Sequence, residues 1–241
     1  MARSFSLVDH KVAEADFFLE HILKADLDFF AVRCYVSAFV AAARSITFAL
    51  QSVLSNAGGF KEWYEEKQKG LKNDQLARFF QDFRTISQHI GDNLVSLGSY
   101  ERDDKGNRIT KHYFLPTPDI QTAPKMDVYS ACHDYLTSLI TVVYECYLKF
   151  GPLINAHQRY TAEYFNSIGL TIEDAEEELF GIRGWTGAPG IPDEYRWQMI
   201  SDSQTGCEIN HLFQKYIGKT IPIPEHLPSP ANEKKDGFIS L

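Results

Sequence analysis

The residue types most suited to chemistry lie in one short run of the sequence. Arg84 is followed after four residues by His89. Arginine gives phosphate oxygens a permanently charged, two-pronged contact, and histidine can take up or release a proton near neutral pH. On a helix, five residues correspond to a rotation of about 140° and a rise of about 7.5 Å. The two side chains therefore bracket a polar arc formed by Gln81, Thr85 and Gln88, in which a phosphate could sit.

This pattern resembles the signature of the HEPN superfamily, whose members are helical bundles and include many metal-independent ribonucleases. The layout over about residues 9–150 is similar to HEPN proteins, and the run 60–92 is similar to bacterial members. The resemblance implies that Arg84 binds phosphate, that His89 is the general acid or base, and that Thr85 orients one of them.

The resemblance also implies a homodimer in which two such arcs face each other across a cleft. A cleft of this kind suits cleavage of RNA through attack by the ribose 2′-hydroxyl, without a metal or another cofactor. Such a protein would act in a toxin–antitoxin or phage-defence system. Its substrate would be RNA, and an antitoxin protein is a candidate partner.

One residue departs from the pattern of active HEPN relatives, in which the arginine is often followed by Asn, Asp or His. Here that position is Thr85. Basic and acidic residues also nearly cancel between residues 61 and 92, whereas an RNA cleft would favour a basic surplus. The alternative hypothesis is therefore a catalytically silent, dimeric helical binding module. It would hold a protein or nucleotide partner, with Arg84 and His89 as surface or ligand contacts.

The elements that must position these residues are predicted to be helices. Apolar residues at three- and four-residue spacing predict long helices over about 9–24, 26–55, 74–90 and 126–150. Turn residues between β-formers predict a β-hairpin over about 98–116. The expected fold is mainly α: an antiparallel bundle of four or five helices with a β-hairpin insertion and short C-terminal helices. We expect the bundle to cover residues 1–152, a helical elaboration packed on it to cover 153–221, and an extended tail to cover 222–241.

Composition narrows the class of protein further. The 241 residues carry a formal net charge of −8, which argues against coating nucleic acid by bulk positive charge but permits a local phosphate site. Four scattered cysteines favour neither a disulfide framework nor a structural zinc site. The apolar stretch 27–54 is interrupted by polar residues, among them Arg33 and Arg44. It therefore predicts a buried helix and no membrane span. Together with the few scattered cysteines, this favours a cytoplasmic protein.

The C-terminal region offers weaker candidates. Basic and aromatic side chains mix at Arg183, Trp185, Arg196 and Trp197, a combination that can stack on bases. A glycine-rich loop anchored by aromatic residues is the simpler interpretation. The acidic run 173–178 is predicted to be a solvated helix face that could attract a basic partner.

Overall fold

The structure is a computed structural model that describes residues 4–89, 94–102, 104–117, 120 and 123–223, except for the side chains of Gln88 and His89. It is mainly helical and contains a two-stranded antiparallel sheet, which confirms the predicted fold class. The chain divides into two compact units, residues 1–145 with 209–220 and residues 146–208 with 221–241. This division groups residues 146–152 with the C-terminal segment and residues 209–220 with the bundle.

The helices follow the predicted order closely. They are α1 (Ser6–Lys24), α2 (Phe29–Leu54), α3 (Phe60–Asn73), α4 (Gln75–His89), α5 (Val128–Ile154), α6 (Ala156–Arg159), α7 (Ala162–Ser167), α8 (Ile172–Phe180), α9 (Asp193–Asp202) and α10 (Asn210–Ile217). The strands are β1 (Ser99–Arg102) and β2 (Arg108–Lys111).

Helix α2 is the central helix of the first unit, and α1 packs along it. It begins at Asp28, whose carboxylate accepts a hydrogen bond from the Ala31 amide at 3.0 Å, a typical N-cap. By length and composition alone α2 could cross a membrane. Side chains such as Val36, Phe39 and Leu50 are buried in the first unit, so one face of α2 contributes to the core of that unit.

Aromatic rings fill the core between α2, α4 and α5. Phe80 of α4 stacks on Tyr135 of α5 with 4.7 Å between ring centroids, and its edge meets Phe39 of α2 at 6.2 Å. Phe114, just after the hairpin, contacts Phe79 at 4.8 Å and Phe83 at 5.6 Å. Offset and edge-to-face ring pairs of this kind add to the free energy gained by burial. They fix the rotation of α4 about its axis, and hence the direction of its polar face.

The hairpin pairs Ser99 with Lys111, and its base is tied to the turn between α1 and α2. The buried His112 places one ring nitrogen 2.7 Å from the Asp26 carbonyl oxygen and the other 3.2 Å from the Ser96 carbonyl oxygen. Gly98 lies directly against this ring, since a Cβ atom there would be 2.7 Å from the His112 Cε1 atom. The hairpin is thus held by close packing at its base.

Helix α10 returns to the first unit and contacts α1 and α5. Lys215 bridges Asp16 at 2.6 Å and Glu20 at 3.0 Å. The Tyr216 hydroxyl donates to the Asp16 carboxylate at 2.5 Å, and Phe213 meets Tyr144 edge to face at 5.3 Å. These contacts explain why residues 209–220 group with the bundle.

Two details differ from the sequence predictions. The sequence predicts that the fourth long helix, over about 126–150, ends before Gly151 and Pro152, but the chain only bends at Phe150 (φ −114°, ψ 16°) and continues helically to Ile154. Proline is tolerated in the first turn of a helix because its missing N–H would have no partner there. A kink at Phe150 therefore starts a new turn around Pro152.

The second difference concerns the acidic run 173–178, which is not simply a solvated face. Within the second unit, Glu176 is fully buried. Its carboxylate accepts hydrogen bonds from the backbone amides of Gly184 and Thr186, from the Thr186 hydroxyl, and from the Arg196 guanidinium at 3.1 Å. A glycine-rich loop folds back over α8 and supplies the Gly184 and Thr186 donors. The sequence of α8 alone gives no sign of these contacts.

Candidate functional site

Helix α4 carries the predicted site and is oriented by its own sequence. The Asp74 carboxylate accepts a hydrogen bond from the Ala77 amide at 2.7 Å and so caps the helix. The predicted apolar stripe is buried, as Phe80, Phe83 and Ile86 show. The Ile90 position of that stripe lies outside the described residues. Thr85 lies on the exposed face opposite this stripe and Arg84 lies at its flank, so both side chains are left for polar contacts.

Arg84 and Thr85 lie side by side on α4. Arg84 is half-buried and Thr85 is exposed. The Thr85 hydroxyl donates to the Gln81 carbonyl oxygen one turn earlier, at 3.1 Å, so its proton is not available to orient a neighbouring side chain. Among the described residues, no carboxylate forms an ion pair with Arg84, and its charge is available to a ligand. The His89 side chain lies outside the described part of the structure, so its pairing with Arg84 stays a prediction.

An open groove runs along one side of α4, between that helix and α2. Its volume is about 490 Å³. Apolar and small side chains dominate its lining, which consists of Phe30, Arg33, Cys34, Ser37, Ala38, Ala41, Phe83, Ser87, Leu94 and Val95. Phe30 is 75% exposed, and the guanidinium of Arg33 lies 5.6 Å from the ring centroid of Phe29. We call this feature the α2/α4 groove.

A smaller and more polar pocket lies at the junction of α2, α3, α4 and α5. Its volume is about 130 Å³. Two cations and several hydrogen-bonding side chains line it, and none of the lining residues is acidic: Arg44, Thr47, Tyr64, Gln68, Leu71, Lys72, Ala77, Gln81 and Tyr135. We call it the Arg44 pocket. Gln81 belongs to the predicted polar arc of α4, so the two candidate sites share one helix.

Sequence reasoning did not find this pocket. In the sequence, Arg44 only interrupts the apolar stretch 27–54, and Tyr135 is one residue of the long helix predicted over about 126–150. Arg44 and Tyr135 are far apart in the sequence, and only the packing of α2 against α5 brings them together. A charged residue in the middle of a core helix was the one signal that could have indicated a ligand pocket.

The basic and aromatic residues of the second unit are engaged with one another and with acids. Arg183 pairs with Asp174 at 2.6 Å and with Glu177 at 2.8 Å. Arg196 pairs with Glu173, Glu176 and Asp193. With their charges balanced by carboxylates, these arginines offer little attraction to a nucleic acid.

Among the residues that the structure describes, no group of three or more His, Cys, Asp or Glu side chains is placed to hold a metal ion.

Comparison with known families identifies the chain's relatives. The family described as Bacteriophage lambda protein ea47 matches residues 5–169, which is more than half of the chain. The chain belongs to the bacteriophage lambda protein ea47 family. No curated protein and no solved structure gives a match.

The ea47 family match covers α1 to α7. It therefore includes α4, the α2/α4 groove and the Arg44 pocket, while the Glu176–Arg196 pairing lies beyond it. A bacteriophage family is compatible with the predicted phage context. Membership of the HEPN superfamily stays a prediction.

Proposed function

We propose that the protein is a homodimeric helical binding module whose partner-contacting face is the α2/α4 groove. The observation that carries this proposal is the open apolar groove itself, next to a phenylalanine that is 75% exposed. Exposed apolar surface of this kind is typical of sites that bind another protein. Among the described residues that line the groove, Arg33 is the one charged side chain, so a mostly apolar partner surface fits it.

The favoured occupant of the groove is a second copy of the chain. A two-fold dimer uses the same patch on both subunits, so that patch must contain both a projecting and a receding part. Phe30 supplies a large exposed side chain, and Ala38 and Ala41 supply small ones that allow close approach of a helix. Phe30 and Ala41 are eleven residues apart, which on a helix means about 16.5 Å of rise and about 20° of rotation. Antiparallel α2 helices would seat each Phe30 over the partner's small residues.

The same dimer would bring two α4 helices close together, because Phe83 and Ser87 also line the groove. Arg84 lies about 60° around α4 from Ser87, so one guanidinium from each subunit would border the shared face. These arginines suit contacts to the phosphates of a nucleotide partner.

The dimer is tested by light scattering after gel filtration of the full chain. We expect a dimer for the wild type and a monomer for Phe30→Glu, because a carboxylate cannot be buried in an apolar interface without a partner. Phe17→Glu is the matched control, since Phe17 is 53% exposed on α1 outside the groove, and it should remain dimeric. A monomeric wild type, or a dimeric and normally helical Phe30→Glu variant, would contradict the proposal.

Cleavage of RNA is the second candidate function, and one observation favours it: Arg84 has no carboxylate partner among the described residues. Loss of a general acid or base typically lowers a rate by about 10²–10⁴-fold. An enzyme should therefore lose RNA cleavage by at least about a hundredfold in both Arg84→Ala and His89→Ala, while Arg78→Ala, an exposed arginine of the same helix, keeps it. The binding module instead predicts that wild type and all three variants leave RNA equally intact.

A further inference from the structure

The Arg44 pocket combines positive charge with a hydrogen-bonding group that lacks a partner. Tyr135 is 95% buried, with 5% of its surface exposed, and lines the pocket. Its hydroxyl has no hydrogen-bond partner among the described residues. Because Tyr135 lines the pocket, its hydroxyl can donate a hydrogen bond to a ligand bound there.

Arg44 is held in place but keeps its charge free. Its guanidinium lies 4.8 Å from the ring centroid of Phe48 and makes a long contact of 3.4 Å to the Thr47 hydroxyl. No carboxylate among the described residues pairs with it. Half-buried arginines are usually paired with an acid, and the stacking on Phe48 orients the planar donor without neutralising it.

Most of the remaining lining residues are polar. The Tyr64 hydroxyl donates to the Thr47 carbonyl oxygen at 3.2 Å and accepts from the Gln51 amide at 3.1 Å, which fixes its ring. Lys72 adds a second cation at the mouth, and Gln68 and Gln81 add amide groups. The charge of Asp74 acts on Tyr135, and the Asp74 carboxylate accepts a hydrogen bond from the Ala77 amide.

We infer that the Arg44 pocket binds a phosphate group, either as free phosphate or as the end of a phosphate monoester. Two cations match the charge of a phosphate dianion, and the Arg44 guanidinium can contact two of its oxygens at once. The Tyr135 hydroxyl donates to a third oxygen. Burial raises the pKa of Tyr135 to about 12, so this hydroxyl keeps its proton at neutral pH. The small volume admits the phosphate group itself and leaves an attached nucleoside at the mouth.

This site is independent of the proposed dimer. The Arg44 pocket and the α2/α4 groove share no lining residue. Failure of phosphate binding would therefore leave the dimer untouched, and a monomeric chain could still bind phosphate.

Isothermal titration calorimetry of the full chain tests the inference, with inorganic phosphate and adenosine 5′-monophosphate titrated separately at constant ionic strength. We expect saturable binding of at least one probe with one site per chain. Arg44→Gln should weaken it at least about tenfold, and Tyr135→Phe about threefold to tenfold, as for loss of one hydrogen bond. Arg108→Gln is the matched control and should bind phosphate as the wild type does, because Arg108 also lies over an aromatic ring, that of Tyr100, but belongs to strand β2 and lines neither site.

The two probes distinguish the sources of the phosphate. Adenosine 5′-monophosphate binding about tenfold more tightly than inorganic phosphate would identify a monoester, and equal or weaker binding would identify free phosphate. Arg44→Lys separates loss of the charge from loss of the fold. It retains the positive charge and should bind phosphate more tightly than Arg44→Gln. The inference is overturned by the absence of saturable heat with both probes, or by equal binding in wild type and a folded Arg44→Gln variant.

Discussion

A carboxylate without exposed surface is stable only where charge and hydrogen bonds replace the water it has lost. Glu176 meets that condition through Arg196 and the donors of the loop at Gly184 and Thr186. Burial alone would raise the pKa of Glu176. The hydrogen bonds from Thr186, Arg196 and Gly184 outweigh burial and lower this pKa below its ordinary value of 4.5.

We expect Glu176→Gln to lower the free energy of unfolding by about 3 kcal/mol, because it leaves a buried arginine short of one charge. Glu173 and Asp193 still pair with Arg196. The loss of unfolding free energy should therefore lie at the low end of the range of about 3–5 kcal/mol that is typical for breaking a buried ion pair. Glu177→Gln is the control. Its pair with Arg183 is solvent-exposed, and exposed pairs contribute at most about 1 kcal/mol. Urea unfolding followed by tryptophan fluorescence measures both variants at pH 7.

The same comparison has a defined pH dependence. Because folding lowers the pKa of Glu176, its stabilising contribution is complete above the pKa of the unfolded carboxyl group, near 4.5, and is lost as the pH falls through the lower folded value. The difference between wild type and Glu176→Gln should therefore be constant from pH 7 to about 6 and should shrink below about 4.5. A difference that grows in acid would contradict the assignment.

At the scale of elements, the packing of His112 at the base of the hairpin depends on Gly98. The His112 ring occupies the space that a Cβ atom at residue 98 would need. Gly98→Ala should thus displace the ring from the Asp26 and Ser96 carbonyls and destabilise the protein by about 1–3 kcal/mol. Gly70→Ala is the contrasting change, because that helical position faces open space. It should stabilise the protein by about 0.5–1 kcal/mol.

Thermal unfolding of the two glycine variants, followed by circular dichroism, checks this prediction. The expected signs are opposite, with Gly98→Ala melting below wild type and Gly70→Ala above it. A Gly98→Ala variant as stable as wild type would show that the hairpin base is loosely packed.

Helices with a clear apolar stripe could be predicted from sequence, because burial depends on spacing along one element. The cap at Asp74 and the stripe through Phe80 and Phe83 are examples. The site could be predicted only in part. Sequence placed Arg84 and Thr85 on a polar helix face, but it could not show that the Thr85 hydroxyl bonds to its own helix or that Arg44 meets Tyr135. Those facts depend on side-chain rotamers and on packing between elements distant in sequence.

At the scale of the whole molecule, the net charge of −8 limits how a phosphate-bearing ligand can bind. Proteins that bind extended nucleic acid gain affinity with each phosphate they neutralise, and their binding weakens steeply as salt is added. Here the Arg44 pocket offers two cations, while the surrounding protein carries an excess of acids. One phosphate can be held locally, and additional phosphates of a longer chain meet an unfavourable field.

Binding should therefore not increase with the length of an RNA ligand. We expect a 5′-phosphorylated single-stranded oligonucleotide to bind no more than about threefold more tightly than adenosine 5′-monophosphate, with a salt dependence no steeper than that of about two phosphate contacts. The same oligonucleotide with a 5′-hydroxyl should bind more weakly than either. Competition calorimetry at several salt concentrations measures these differences. Affinity that rises steadily with chain length, lost in Arg84→Ala and retained in Arg44→Gln, would instead show an extended RNA cleft on α4, as the ribonuclease hypothesis requires.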